Sequence, residues 1–184
     1  MTTADVIESA LREQEIEFER VAPETFVVAL PGEKRLKTAC WLTIGAHALE
    51  IEAFVMRKPD ENHEQVYAFL LQRNVRMYAV SWAIDAVGDV YLTGRLPLSA
   101  VTADEVDRVL GSVLEYSDAT FNQLLELGFG SSIRREWAWR VKRGESLANL
   151  AAFAEFAQRP AGAPEPVGQD ETRADPDPAP PRRE

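Results

Sequence analysis

The stretch from residue 77 to residue 98, MYAVSWAIDAVGDVYLTGRLPL, decides the fold, because its pattern predicts a β-hairpin that leads into a helix. Two apolar runs of about seven or eight residues flank a turn at 87–89. Gly88 supplies the positive φ that a tight hairpin needs. Both alternating faces of the first strand are largely apolar. We therefore expect this strand to be central in a sheet, with helices on one face and a partner or a terminal segment on the other.

Upstream of the hairpin, the sequence predicts one short helix and four strands. The helix covers 4–14, with Thr2 or Thr3 as its cap. Breaks at proline and glycine separate the strands, which cover 17–22, 25–30, 35–44 and 49–58. In the third strand Leu36, Cys40 and Leu42 share one face, and in the fourth Leu49 and Ile51 do. Alternation of this kind is typical of a half-exposed antiparallel sheet.

Two further helices follow from capping signals. Asp60 is placed to cap a helix over 61–73. Thr102 and Glu105 form a capping box at the start of a longer helix, which the apolar spacing continues to Gly128. The predicted order of elements is therefore α-β-β-β-β-α-β-β-α.

Beyond Gly128 the pattern changes twice. Ser131 or Ser132 caps a short helix that Gly144 stops, and one more helix follows up to residue 158. From residue 160 the chain holds seven of its eleven prolines, and Val167 is the only large aliphatic residue there. The predicted organisation is an α+β domain over 1–128, a helical hairpin over 129–158 that packs on it, and a disordered acidic tail over 159–184.

The segment 70–98 resembles the YbjN family of bacterial proteins, a group described as "putative sensory transduction regulators". The likeness is carried by 70–74 (LLQRN), by the hairpin through 88–90 and by 94–98 (GRLPL), and it extends over roughly 3–127. It implies a fold similar to that of type III secretion chaperones: an antiparallel sheet of about five strands with helices on one face. It implies no catalytic residue.

Charge and terminal composition restrict the classes of partner. The formal net charge is −10, and residues 1–33 hold eight acids against two arginines. An excess of acid argues against nonspecific nucleic-acid binding, which depends on clustered Lys and Arg. The N-terminus lacks the basic and apolar regions of a signal peptide, and no apolar run is long enough to span a membrane. We therefore expect a cytoplasmic protein.

The residue types that form catalytic and metal sites in other proteins do not occur at the required spacings in this sequence. Cys40 stands alone in a strand-like run, which indicates a buried structural thiol. His47 and His63 lack a third ligand at metal-binding spacing. Glu50 and Glu52 fall on the solvent face of one strand. Since no phosphate loop or nucleophile elbow is found either, we expect no enzymatic activity, no cofactor and no metal.

One segment exceeds the pattern of an ordinary solvated helix. It combines two tryptophans with five bases, and we define it as the basic aromatic segment: Arg134, Arg135, Trp137, Trp139, Arg140, Lys142 and Arg143. Because the tryptophans are about 200 degrees apart on a helix, we expect one to pack and the other to be exposed. The segment is either a binding surface for an acidic partner or a solvated face. Acidic residues of the tail are a third candidate to cover it.

Two hypotheses of function remain. The first is a non-enzymatic protein-binding module, chaperone-like or regulatory, that self-associates as a two-fold dimer. The second is a small-molecule binding or enzymatic domain with a pocket between sheet and helices. Its lining would be Trp41, Tyr78, Trp82 and Arg95.

Overall fold

The computed structural model of the protein describes residues 2–159, and its elements follow the predicted order. Four helices and six strands are joined by short loops and two 3₁₀ turns. They are α1 (Thr3–Glu13), β1 (Phe18–Ala22), β2 (Thr25–Pro31), β3 (Lys37–Ile44), β4 (Ala48–Met56), α2 (His63–Asn74), β5 (Val80–Ile84), β6 (Val90–Pro97), α3 (Ala103–Arg143) and α4 (Ala154–Gln158). The α+β fold class is confirmed.

All six strands form one antiparallel sheet in the order β1-β2-β3-β4-β6-β5. The hairpin of β5 and β6 turns through Gly88, whose φ is +96°, and the Asp85 carboxylate accepts hydrogen bonds from three backbone amides of the turn. The expectation that β5 is central was wrong. Because β6 pairs with β4 on its other side, β6 is the central strand and β5 is left at the edge.

The core lies between one face of this sheet and the helices α1, α2 and α3. Alternation in β3 and β4 is as predicted, with Cys40, Leu42, Leu49 and Ile51 buried toward the helices. Leu36 is the exception at 85% exposed, since β3 begins only at Lys37. No described helix covers the opposite face of the sheet, so that face is open within residues 2–159.

Helix α3 begins as predicted, since the Thr102 hydroxyl accepts a hydrogen bond from the Glu105 amide. The Glu105 carboxylate does not complete the capping box but binds the Tyr78 hydroxyl and Arg108. The helix also does not end at Gly128. It continues to Arg143 with one non-helical residue, Phe129, at a kink.

The loop before α2 caps both sides of this kink. The amides of Asp60 and Glu61 donate to the Gly128 carbonyl over 2.9 and 3.1 Å. The Glu61 carboxylate accepts from the backbone amide and the hydroxyl of Ser131, where the helix resumes. Glu61 thus caps the second half of α3, the role that the sequence predicted for Ser131 or Ser132. Asp60 does not cap α2, because its carboxylate is paired with the Arg57 guanidinium, and Asn62 takes the N-cap position.

Replacement of Glu61 by glutamine should weaken this junction. We expect a loss of about 0.3 to 1 kcal/mol of unfolding free energy, because the glutamine oxygen still accepts a hydrogen bond but the negative charge favoured at a helix N-terminus is lost. The hydrogen bond from the Ser131 backbone amide holds the pKa of Glu61 below its ordinary value of 4.5. A carboxylate with a lowered pKa stabilises the fold above pH 4.5, and this stabilisation is lost as the pH falls further. Urea denaturation at pH 7 and at pH 3 measures both effects.

The matched control is Glu115→Gln, an exposed position in the middle of α3. It should unfold like the native protein at both pH values. If Glu61→Gln costs as much at pH 3 as at pH 7, the carboxylate charge does not support the junction.

After Gly144, whose φ is +66°, the chain folds back on α3 and forms a helical hairpin with its second half. Its returning half is a 3₁₀ turn over Ala148–Phe153 followed by the short α4, where a single helix was expected. Phe153 is buried, and the Phe156 ring fills the space beside Gly130. The tail predicted to be disordered lies almost wholly outside the described residues. Within residues 2–159, no helix is long and apolar enough to cross a membrane.

Candidate protein-binding surfaces

The open face of the sheet carries three aromatic side chains. Strand alternation directs Trp41 and Phe54 away from the helices, and they are 44% and 39% exposed. Tyr91 of β6 meets Phe54 edge-on, with ring centroids 5.4 Å apart. The sequence places Trp41 on the face of β3 opposite Cys40 and Leu42 and also predicts it in a pocket between sheet and helices, whereas Phe54 and Tyr91 were not predicted as part of a site. Strand alternation could have predicted that Phe54 is on the open face, since it lies between the buried Ala53 and Val55.

Charged residues border these aromatics. Glu50 and Glu52 of β4 face the open side as expected, and Arg95 of β6 lies 3.3 Å from the Glu50 carboxylate. Together with Trp41 they line a shallow groove of about 480 Å³ across three strands. An aromatic centre with a charged rim is the composition typical of a protein interface.

β5 and the adjacent face of α2 form a second surface, which is more apolar than the groove on the open face of the sheet. Ile84 of β5 is half exposed, and the neighbouring Leu71 of α2 is 64% exposed. Leu71 and Ile84 line an apolar groove of about 260 Å³ with Tyr67 and Trp82. β5 pairs only with β6 among the described strands, but its outer edge is partly occupied. The Trp82 amide donates to the Asn74 side chain of α2 over 2.7 Å, and the same side chain donates to the Trp82 carbonyl over 3.2 Å.

The basic aromatic segment lies after the kink of α3, and its arginines differ in environment. Arg134 stacks on the Phe156 ring at 4.2 Å. Arg140 binds Glu136 at 2.7 Å and the Ser146 carbonyl at 2.9 Å. These two side chains connect the halves of the C-terminal hairpin.

The remaining members of the segment are more accessible. Arg135, Lys142 and Arg143 are exposed, and Arg143 stacks on Trp139 at 5.0 Å. Trp139 is 43% exposed, whereas Trp137 is half-buried. The helical spacing of 135, 139 and 142 places an arginine, a tryptophan and a lysine on one face.

The four residues proposed to line a pocket between sheet and helices are not brought together. Trp82 is buried on the helix side of the sheet, while Trp41 and Arg95 line the groove on the open side. Tyr78 lies before β5 and binds Glu105 of α3. Side chains on opposite faces of a sheet cannot line one pocket, so Trp82 is separated from Trp41 and Arg95.

The side chains that could act in catalysis or bind a metal do not form a cluster. Burial raises the pKa of the Cys40 thiol to about 12, which suppresses the reactive thiolate. His47 lies in the β3–β4 turn and His63 begins α2. Across residues 2–159, no group of three or more His, Cys, Asp and Glu side chains is arranged to hold a metal ion.

Curated relatives of the chain come from mycobacteria. An uncharacterized protein of Mycobacterium tuberculosis is 56% identical over 158 residues, which cover 83% of this chain and 86% of the relative. An uncharacterized protein of Mycobacterium leprae is 63% identical over 128 residues, or 70% of each chain.

Solved structures share the fold at low sequence identity. A chain of the heterodimeric ExoU–SpcU complex from the type III secretion system of Pseudomonas aeruginosa has a TM-score of 0.50 and 16% identity, covering 67% of this chain and 98% of that one. A chain of the ExsC–ExsE complex gives the same TM-score and identity, with coverages of 67% and 97%. The expected likeness to type III secretion chaperones is thereby confirmed for the fold.

A family model covers most of the described α+β region. The model of YbjN, described as "Putative bacterial sensory transduction regulator", matches residues 3–126. This match ends just before the kink of α3, so the basic aromatic segment and the returning hairpin lie beyond it. The chain therefore belongs to the YbjN family.

Proposed function

We propose that the protein is a non-enzymatic binding module, chaperone-like or regulatory, that docks another protein on the open face of its sheet. The observation that carries this proposal is the exposure of Trp41 on a face that no described helix covers, with the partly exposed Phe54 at the margin of that face. A solvated sheet face normally carries polar side chains. Tryptophan, tyrosine and arginine are the residues that most often dominate interface energies.

The shared fold gives this proposal independent support. The related structures are of complexes between two proteins, ExoU with SpcU and ExsC with ExsE. A sheet with one open face and helices on the other gives a partner a rigid surface, which lowers the entropy lost on binding. The direct test is whether the protein captures a partner and loses it when Trp41 and Phe54 are replaced.

We further propose a two-fold dimer through the edge of β5 and the adjacent face of α2. This surface exposes Leu71 and Ile84 in one apolar groove, and such a patch can meet its own copy across a two-fold axis. Multi-angle light scattering at micromolar concentration should give twice the chain mass of 20.5 kDa. A single species at the chain mass would refute the dimer.

Ile84→Lys is the variant expected to break the dimer, and Val141→Lys is its control. A lysine at this position places a charge in the apolar contact, so this variant should be monomeric and still folded. Val141→Lys, a similarly exposed position on α3, should leave the mass unchanged.

The basic aromatic segment is proposed as a second contact for an acidic region of the same partner. Reversal of its exposed bases, Arg135, Lys142 and Arg143, to glutamate should reduce partner capture at low salt by about tenfold. Unfolding free energy should change little, because exposed charges contribute well under about 1 kcal/mol each. Capture by the native protein should also weaken toward physiological salt, where the screening length contracts to about 8 Å.

Arg134 and Arg140 serve as the comparison, since their reversal breaks contacts within the hairpin. Those two changes should lower stability. If reversal of the three exposed bases leaves capture unaltered at every salt concentration, the segment is only a solvated helix face. Comparison of 1–158 with the full chain shows whether the acidic tail competes for it.

A further inference from the structure

The kink of α3 creates a groove that adjoins the open face of the sheet at Phe54. We define the kink groove as the apolar trough of about 550 Å³ between the end of β4, the two halves of α3 and the 3₁₀ turn of the hairpin. Its lining is mainly aromatic and aliphatic. The lining residues that matter here are Phe54, Phe121, Leu125, Phe129, Ile133 and Leu150.

One side chain, Arg35, brings a positive charge to the rim of this groove. Its guanidinium lies 5.2 Å from the centre of the Phe121 ring and 5.8 Å from that of Phe54. The loop that carries it is fixed to α3, because the Asp118 carboxylate accepts hydrogen bonds of 2.8 Å from the Lys34 and Arg35 amides. Arg35 is therefore held at the groove by the backbone and by two aromatic rings.

The charge of Arg35 is not compensated within residues 2–159. Its Nη1 donates to the Val55 carbonyl, while Nε is buried without an acceptor, and no described carboxylate forms an ion pair with it. The other charged groups of the groove are paired, Arg57 with Asp60 and Glu136 with Arg140. Burial without a carboxylate partner also lowers the pKa of Arg35. A half-buried cation without a counter-ion is costly, and an anion would relieve that cost.

We propose that the kink groove binds a medium-chain amphiphilic carboxylate, with its head group on the Arg35 guanidinium and its aliphatic chain along Phe121, Leu125 and Leu150. The groove volume lies within the range of small-molecule sites, which are mostly apolar with a few polar groups that fix orientation. Residues 160–184 do not match this chemistry, since Val167 is their only large aliphatic side chain. The site shares Phe54 with the open face of the sheet, but its head-group position at Arg35 lies outside that face.

The test uses the full chain and sodium decanoate, below the concentration at which it forms micelles. In an NMR titration, decanoate should saturate shifts of amides from the groove, including Phe121, Leu125 and Ile133. Decanol, which has the same chain without the charge, should bind at least about tenfold more weakly, as expected from the loss of a charge-assisted hydrogen bond.

Variants assign the two halves of the site. Arg35→Gln should weaken decanoate at least about tenfold and leave decanol unchanged, while Arg35→Lys should retain part of the affinity. Leu125→Gln should weaken both compounds, because it places a polar group on the apolar wall. Arg76→Gln, a change to an exposed arginine just after α2 and outside every proposed surface, is the matched control and should bind like the native protein.

A thermal melt of each variant ensures that only folded proteins are compared. Equal affinity of Arg35→Gln and the native protein for decanoate would overturn the proposal. Saturable shifts confined to another surface, or no saturable shift at all, would do the same.

Discussion

A valine at position 94 should lower the unfolding free energy by about 3 kcal/mol, the upper end of the range for overpacking a well-filled interior. Gly94 lies in the central strand β6, opposite Val80 at the start of β5. A β-carbon there would lie 2.4 Å from the Ala79 carbonyl oxygen and 2.9 Å from a Val80 methyl group. The backbone oxygen cannot rotate away, so β5 must shift from the sheet.

Gly111→Ala is the matched control, since the space beside Gly111 is empty to 4 Å. This residue lies inside α3, where alanine is favoured over glycine by about 0.5 to 1 kcal/mol. The control should therefore be stabilising and the Gly94 variant destabilising in the same urea titration. Equal midpoints for Gly94→Val and the native protein would contradict the close approach of β5 to β6.

Local signals predicted the elements well. Thr102 and Gly144 act at the ends of α3 as capping rules require, and alternation in β4 identified the buried face. The position of β5 at the edge was not predictable in this way. It follows from which strand β6 pairs with on its other side, and that pairing joins residues such as Glu50 and Arg95, far apart in the sequence.

The kink and its groove were hidden for the same reason. Gly128 signals a helix stop, and only the contacts of Asp60 and Glu61, nearly 70 residues earlier, show that the helix resumes at once. Arg35 gave no signal either, since its role depends on Phe54, Phe121 and the Asp118 carboxylate. Of the open face, Phe54 was readable from strand alternation, whereas its neighbour Tyr91 required the register of β6 against β4.

The joint replacement of Trp41 and Phe54 by threonine should abolish partner binding while preserving the fold. Aromatic anchors at the centre of an interface contribute about 2 kcal/mol or more each, so the affinity should fall on the order of a hundredfold or more. Threonine favours strands, and both side chains are already partly exposed, so the sheet should remain intact. Leu36→Thr removes an exposed apolar side chain outside the open face and is the control.

The measurement that tests the central claim is quantitative affinity capture from a lysate of the native host, followed by mass spectrometry. The native protein and the Leu36→Thr control should enrich the same partner, and the Trp41→Thr/Phe54→Thr protein should lose it although its thermal midpoint stays within a few degrees. Equal enrichment of that partner by the doubly substituted protein would contradict binding through the open face of the sheet.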